Sequence, residues 1–122
     1  MANVLNWFEI PAADIERAMR FYGEVMDSKL EVMDMNGAKM AFFSQDNEGV
    51  GGALCQAEGY VPSAEGAMIY LNGGDDLATQ LGRVEKAGGK VVMPKTKISD
   101  EIGFMAIFMD SEGNRVAFHS PQ

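Results

Sequence analysis

The chain is poor in cysteine and histidine, and its basic residues are outnumbered by acidic ones. Its 122 residues include one cysteine and one histidine, and 10 Lys and Arg stand against 18 Asp and Glu, for a formal net charge of −8. One cysteine cannot form an internal disulfide, and an acidic chain is repelled by a phosphate backbone or an anionic membrane. The uncharged apolar runs are far shorter than a membrane span, and the N-terminus lacks the basic and apolar regions of a secretion signal. We therefore expect a cytoplasmic protein that has neither nucleic acid nor membrane as a partner.

The first half of the chain predicts one strand, one helix and three further strands. Asp14 is suited to cap a helix, and apolar residues from Ile15 to Met26 recur at the spacing of one helical face. Asn36-Gly37 is a strong signal for a hairpin turn between two alternating segments. The predicted helix spans about 15–26, and the predicted strands span 4–10, 29–34, 39–44 and 51–56.

The second half predicts the same order of elements. After residues 57–66, which are rich in turn residues and have no period, the chain predicts a helix capped by Asp75 or Asp76. The predicted buried face of this helix is Leu77, Leu81, Val84 and Gly88, and the predicted strands are 67–72, 90–93, 104–109 and 115–119. Residues 57–66 are interpreted as a linker between two units or as a loop over a pocket.

The two halves also share sequence. Asp46-x-Glu48-Gly49 returns as Asp110-x-Glu112-Gly113 after 64 positions, and Lys29-Leu30 aligns with Lys90-Val91 after 61 positions. At 122 residues with 47% hydrophobic content, the chain suits one domain with a single core. We therefore predict one α+β domain, 1–122, with module one at about 1–58, a linker at about 57–66 and module two at about 67–122. Two such modules can bury their sheets only against each other or around a ligand.

Several motifs resemble a known family. The segment Phe8-Glu-Ile-Pro-Ala-Ala-Asp14, the segment from Arg17 to Tyr22 and the closing turn from Asp110 to Arg115 resemble the vicinal oxygen chelate superfamily. This superfamily includes glyoxalase I, bleomycin-resistance proteins and extradiol dioxygenases. The resemblance covers essentially the whole chain. It implies a glyoxalase-like fold of two β-α-β-β-β modules, concave sheets around a cleft that binds a small molecule, and a homodimer.

The resemblance also implies where a metal would bind, on the first and fourth strands of each module. The first-strand positions correspond to Trp7 and to Met68, or to Ile69 if the local offset is 62, and the fourth-strand positions to Ala53 and Ala117. A catalytic zinc ion needs about three protein ligands with nitrogen, sulfur or oxygen donors, and none of these residues is a usual ligand. The expectation is therefore a protein with no superfamily metal site and no cofactor.

Strand alternation then divides the side chains between two faces, because successive residues of a strand point to opposite sides. The face expected to pack on the helices is strongly apolar and consists of Phe8, Ile10, Leu54, Ile69, Leu71, Val116 and Phe118. The face expected to line the cleft consists of Trp7, Glu9, Ala53, Cys55, Met68, Tyr70, Ala117 and His119.

Three functions remain open for such a cleft. Glu9 and His119 would be catalytic residues if they formed a metal-free acid–base pair with Tyr70 orienting the ligand. Glu9, Cys55 and His119 would instead bind a displaced metal if they converged. Both alternatives describe a glyoxalase-like lyase or isomerase. The third function is sequestration of a small molecule, as in bleomycin-resistance proteins, with the remaining cleft residues forming the walls.

Overall fold

The computed structural model describes residues 3–44 and 49–122, and these residues form the doubled β-α-β-β-β order. The first sheet contains β1 (Trp7–Pro11), β2 (Glu31–Met35), β3 (Ala38–Phe42) and β4 (Gly51–Gln56), with helix α1 (Ile15–Val25) after β1. The second sheet contains β5 (Tyr70–Asn72), β6 (Lys90–Ser99), β7 (Gly103–Met109) and β8 (Arg115–Ser120), with helix α2 (Ala78–Val84) after β5. The predicted α+β fold with two sheets and two helices in one domain is confirmed.

The two sheets have the same topology. Their strand orders are β1-β4-β3-β2 and β5-β8-β7-β6, with β1 parallel to β4 and β5 parallel to β8. Glu9 lies opposite Ala53 in the first sheet, and Tyr70 lies opposite Ala117 in the second. The register therefore reproduces the sequence offsets of 61 and 64 positions, and it selects Met68 rather than Ile69 as the counterpart of Trp7.

Local signals in the sequence act as expected at the first helix and the first hairpin. Asp14 Oδ1 accepts hydrogen bonds from the backbone N–H groups of Glu16 and Arg17 at 3.1 and 3.2 Å, and so caps α1. Asn36 and Gly37 have φ values of +50° and +88°. Positive φ at both central residues matches the twist of a two-residue hairpin, so this pair fixes the β2–β3 connection.

Some predicted boundaries and one predicted contact are wrong. β6 continues through Pro94 to Ser99, which is possible because β6 lies at the edge of its sheet and needs no N–H from that residue. For the same reason Pro11 belongs to β1. Gly88 is exposed with φ +110°, so it turns the chain after α2 and is not part of the buried helix face.

The core lies on the helix side of both sheets. All seven residues predicted to face the helices belong to one apolar cluster or pack directly against it. The cluster joins the modules through aromatic rings, because Phe21 of α1 lies 6.0 Å from Phe108 of β7 between ring centroids. No helix in the described part of the chain is long and apolar enough to cross a membrane.

Polar contacts close the junction between the modules at the turn before β8. Tyr22 Oη donates to Asp110 Oδ2 at 2.7 Å, and Asn114 Nδ2 donates to the carbonyl oxygen of Pro11 at 2.7 Å. Glu112 accepts from the backbone N–H groups of Ala13 and Asp14, both at 2.8 Å. The repeated Asp-x-Glu-Gly motif of module two therefore holds the start of α1. Its counterpart at Asp46 to Glu48 lies outside the described residues.

Candidate functional site

The faces of the two sheets that point away from the helices, called here the open faces, carry the predicted cleft residues. Glu9 and Cys55 lie on β1 and β4, and Tyr70 and His119 lie on β5 and β8. All are out of phase with the core residues of the same strands. Met68 comes just before β5 and is half-buried.

Glu9 is the centre of a hydrogen-bond network on the first open face. Its carboxylate accepts from Tyr60 Oη at 2.6 Å and from Trp7 Nε1 at 3.3 Å. Tyr60 comes from the linker between the modules, so this bond ties the linker to β1. The hydrogen bond to Glu9 also raises the pKa of the Tyr60 phenol, as does the negative charge of that carboxylate, and the phenol remains a donor at neutral pH.

Cys55 lies beside this network and is buried. Burial raises the pKa of its thiol to about 11, and the negative charge of Glu9 adds to the shift. A nucleophilic cysteine needs a thiolate, which requires a lowered pKa. The thiol therefore stays protonated at neutral pH and serves as a small wall of the site.

A cavity of about 230 Å³ opens next to Glu9. The linker covers it and is fixed there by a second bond, from the Ser63 N–H to Asn114 Oδ1 at 3.0 Å. The side chains around the cavity combine apolar surface with both signs of charge, and they include Glu9, Pro11, Val61, Ile69, Glu65 and Arg115.

His119 belongs to a different cavity, on the second open face. This cavity has a volume of about 500 Å³ and is lined by Tyr70, Leu71, Asn72, Ile98, Ile102 and His119. His119 Nε2 lies 2.6 Å from the carbonyl oxygen of Ile102. The hydrogen bonds of Glu9 and His119 thus go to different partners, and the predicted acid–base pair between them stays a prediction.

The four positions where the resemblance implies metal ligands do not fit a zinc ion. Ala53 and Ala117 are fully buried and have no donor atom. The indole nitrogen of Trp7 carries a hydrogen that it donates to Glu9, and Met68 offers only a thioether. Within residues 3–44 and 49–122, no group of three or more His, Cys, Asp and Glu side chains could hold a metal ion. The displaced site of Glu9, Cys55 and His119 stays a prediction from the sequence.

Three residues of these sites were not predicted from the sequence. Tyr60 lies in a segment without periodicity, so nothing in the sequence indicates that its hydroxyl reaches β1. Asn72 could have been found, because it alternates in phase with Tyr70 along β5. Ile102 enters the second cavity only because the β6–β7 hairpin is longer than predicted.

Comparisons with known proteins agree with this architecture. The model of the Glyoxalase/Bleomycin resistance protein/Dioxygenase superfamily matches residues 4–118. A glyoxylase-like domain-containing protein of Didymella fabae is 32% identical over 119 residues, which cover 90% of this chain and 88% of that protein.

Solved structures show the same fold at low identity. A glyoxylase/bleomycin resistance protein/dioxygenase domain from Frankia sp. EAN1pec has a TM-score of 0.73 and 17% identity, over 100% of this chain and 99% of that chain. TnmS3, an antibiotic binding protein from Streptomyces sp. CB03234, has a TM-score of 0.64 and 22% identity, over 100% and 99%. The E144Q mutant of glyoxalase I from Zea mays has a TM-score of 0.73 and 18% identity, over 95% of this chain and 46% of that chain, so this chain spans about half of the maize protein. The chain belongs to the Glyoxalase/Bleomycin resistance protein/Dioxygenase superfamily.

Proposed function

We propose that this protein binds a small organic molecule at the open faces of its sheets, without a metal ion, and that the cavity beside Glu9 is the principal site. The observation that carries the proposal is the Glu9 carboxylate, which lies half-buried at a cavity covered by the linker. It is surrounded by groups that can recognise a ligand, and Tyr60, which donates to it, is more than one-third exposed.

The electrostatic setting of Glu9 favours a binding role. Within the described part of the chain, no Lys or Arg nitrogen lies within ion-pair distance of this carboxylate. A partly buried carboxylate is costly unless hydrogen-bond donors replace the water that it loses. Trp7 and Tyr60 supply two such donors, and a ligand that donates to the remaining lone pairs would complete the set.

The residue types at the four implied metal positions support the proposal of metal-independent binding. A ligand that reached Ala53 or Ala117 would meet methyl groups and backbone. Recognition by apolar walls and a few placed polar groups is typical of small-molecule sites. The side chains around Glu9 match this description, with Trp7 and Tyr60 supplying aromatic surface.

Sequestration is favoured over catalysis by the positions of the candidate acid and base. Glu9 and His119 line different cavities, and the Cys55 thiol is protonated at neutral pH because its pKa is about 11. TnmS3, which shares the fold, is an antibiotic binding protein, and a sequestering role for this chain is consistent with that likeness. A lyase or isomerase that uses Glu9 and His119 is the second candidate. The homodimer and the cytoplasmic location remain predictions from the sequence.

A ligand screen by thermal unfolding tests the proposal. We expect at least one small molecule to raise the melting temperature equally with a chelator and with added Zn²⁺, Ni²⁺ or Mn²⁺, because a ligand at 100 times its Kd stabilises the folded state by about 2.7 kcal/mol. Glu9→Gln removes the charge and is expected to reduce the ligand-induced shift. Glu24→Gln, at an exposed position of α1, makes the same charge change and is expected to leave the shift intact.

The same experiment separates the alternatives. A ligand shift that requires a metal, or one that is identical in wild type and Glu9→Gln, contradicts the proposed site. If mass spectrometry shows that the bound compound is recovered unchanged after prolonged incubation, the protein is a binder of that compound. Conversion that disappears in both Glu9→Gln and His119→Gln would establish the enzyme instead.

A further inference from the structure

We infer that residues 59–66 of the linker form a hinged strap, latched to β1 by the hydrogen bond from Tyr60 to Glu9, and that opening of this strap admits a ligand to the cavity beside Glu9. The inference concerns the regulation of that site, so it rests on the proposed function of the cavity. The hinges and the latch can be tested without any ligand.

The strap lies on the surface of the domain and is weakly packed. Within residues 59–66, Pro62 is half-buried and every other residue is exposed. The strap nevertheless supplies Val61, Ser63 and Glu65 to the lining of the cavity, although Val61 is 75% exposed. A segment that buries little apolar surface opens locally at a low cost in free energy. This wall of the cavity can therefore move away while the sheets stay folded.

Within the described part of the chain, two hydrogen bonds join the strap to residues outside the linker. Tyr60 Oη donates to Glu9 Oε1 at 2.6 Å, and the Ser63 N–H donates to Asn114 Oδ1 at 3.0 Å. Asn114 is buried and is held in place by its own bond to the Pro11 carbonyl oxygen. Tyr60 is 37% exposed, so its hydroxyl can bond to water when it leaves Glu9. The Tyr60 bond is therefore the latch that can be released.

Glycines end the strap on both sides. Gly59 and Gly66 have φ values of +90° and +100°, a region that residues with a Cβ atom rarely adopt. A Cβ atom added at either position would meet no atom within 4 Å, so the backbone conformation and not the packing requires glycine there. Because glycine adopts both signs of φ at little cost, these two residues can act as hinges for the segment between them.

The single cysteine of the chain lies beside the latch and gives a direct probe of it. Cys55 is on the strand next to Glu9 and on the same open face, and it is 2% exposed. The pKa of the Tyr60 phenol is raised mainly by the hydrogen bond to Glu9, and a smaller contribution from Cys55 indicates that the phenol is near this thiol. Opening of the strap is therefore expected to expose the thiol to reagents in solution.

Labelling of Cys55 measures how often the strap opens. The intact protein is treated at mildly alkaline pH with methyl methanethiosulfonate, a small neutral reagent for thiolates, and the rate is divided by that of the same protein unfolded in urea. Tyr60→Phe keeps the ring and removes the donor, so its normalised rate is expected to be about five times that of the wild type, the value of one ordinary hydrogen bond. Tyr70→Phe makes the same change at an exposed tyrosine of module two and is expected to label like the wild type.

Amide exchange shows whether the whole strap moves. The Ser63 N–H lies at the second attachment of the strap, so in Tyr60→Phe its exchange, followed by ¹⁵N NMR, is expected to accelerate by the same factor as the labelling. Equal labelling rates in wild type and Tyr60→Phe, or faster labelling with unchanged Ser63 exchange, would overturn the inference. These outcomes do not depend on the ligand screen. If no compound binds at Glu9 while the strap opens as expected, the proposed function fails and the hinged strap stands.

Discussion

Replacing Glu112 with Gln is expected to loosen the junction between the two modules. The Glu112 side chain is 1% exposed. Its Oε1 accepts from the backbone N–H groups of Ala13 and Asp14, both at 2.8 Å, and from Arg17 Nη2 at 3.0 Å. Its Oε2 accepts from Arg17 Nε at 2.7 Å and from Ser111 Oγ at 2.9 Å. A glutamine can replace only one of these oxygens, because its amide nitrogen would face the donors that the second oxygen now accepts from.

The size of the effect follows from these bonds. Hydrogen bonds to a charged group contribute about 1.5–3 kcal/mol, and at least one of the five is lost with its donor left unpaired. We discount the Arg17 pair because that side chain is 48% exposed and solvent screens it. The expected loss is about 2–4 kcal/mol, a large part of the 5–15 kcal/mol that stabilises a typical domain.

The stability contribution of Glu112 is expected to decrease as the pH falls. Burial alone would raise the pKa of Glu112, but the hydrogen bonds from Arg17, Asp14, Ser111 and Ala13 outweigh it and lower the pKa. A carboxyl group with a lowered folded-state pKa stabilises the protein above its unfolded value of about 4.3, and this contribution is lost as the pH falls through the folded-state pKa. The difference between wild type and Glu112→Gln is therefore full at pH 7 and shrinks in acid.

The test is urea unfolding of wild type, Glu112→Gln and the charge-matched Glu24→Gln from pH 7 down to about pH 3.5. It measures the loss in free energy of unfolding at pH 7 and the change of that loss with pH. A difference below about 0.5 kcal/mol at pH 7, within the range of ordinary surface substitutions, would show that Glu112 does not hold the junction. A large difference that does not change with pH would refute the electrostatic explanation while leaving a packing one.

Other substitutions test the packing on the helix side of the sheets. Tyr22→Phe removes the buried hydrogen bond to Asp110 without changing shape, so we expect a loss of about 1–3 kcal/mol in urea unfolding, and a neutral result would contradict that bond. Gly52→Ala places a methyl group against the Phe8 ring, closer than van der Waals contact, and its expected cost of about 1–3 kcal/mol would show as a lower melting temperature. Gly82→Ala on α2 meets no atom within 4 Å, so it is expected to raise stability by about 0.5–1 kcal/mol; destabilisation there would mean that the helix is packed more closely than the structure shows.

The repeated fold could be predicted from the sequence because caps, turns and strand alternation depend only on short stretches of sequence, and such stretches occur in both halves of the chain. Asp14 caps a helix wherever a helical pattern follows it, and Asn36-Gly37 turns a hairpin because both residues accept positive φ. Alternation along the strands assigned the core face correctly at all seven positions, since the period of a strand is two in any fold. The internal offsets then aligned Glu9 with Tyr70 and Ala53 with Ala117, as the sheet register confirms.

The division of the predicted cleft into two cavities was decided by the tertiary structure. Alternation places Glu9 and His119 on open faces, but it does not say how far apart the two sheets hold them. Tyr60 joins Glu9 and Ile102 joins His119 through contacts between segments 51 and 17 residues apart, and such partners depend on the path of the linker and the length of a hairpin. The sequence by itself therefore determined the elements, their repeat and the face of each side chain. Only the packing of linker and hairpin against the sheets determined which of these side chains meet.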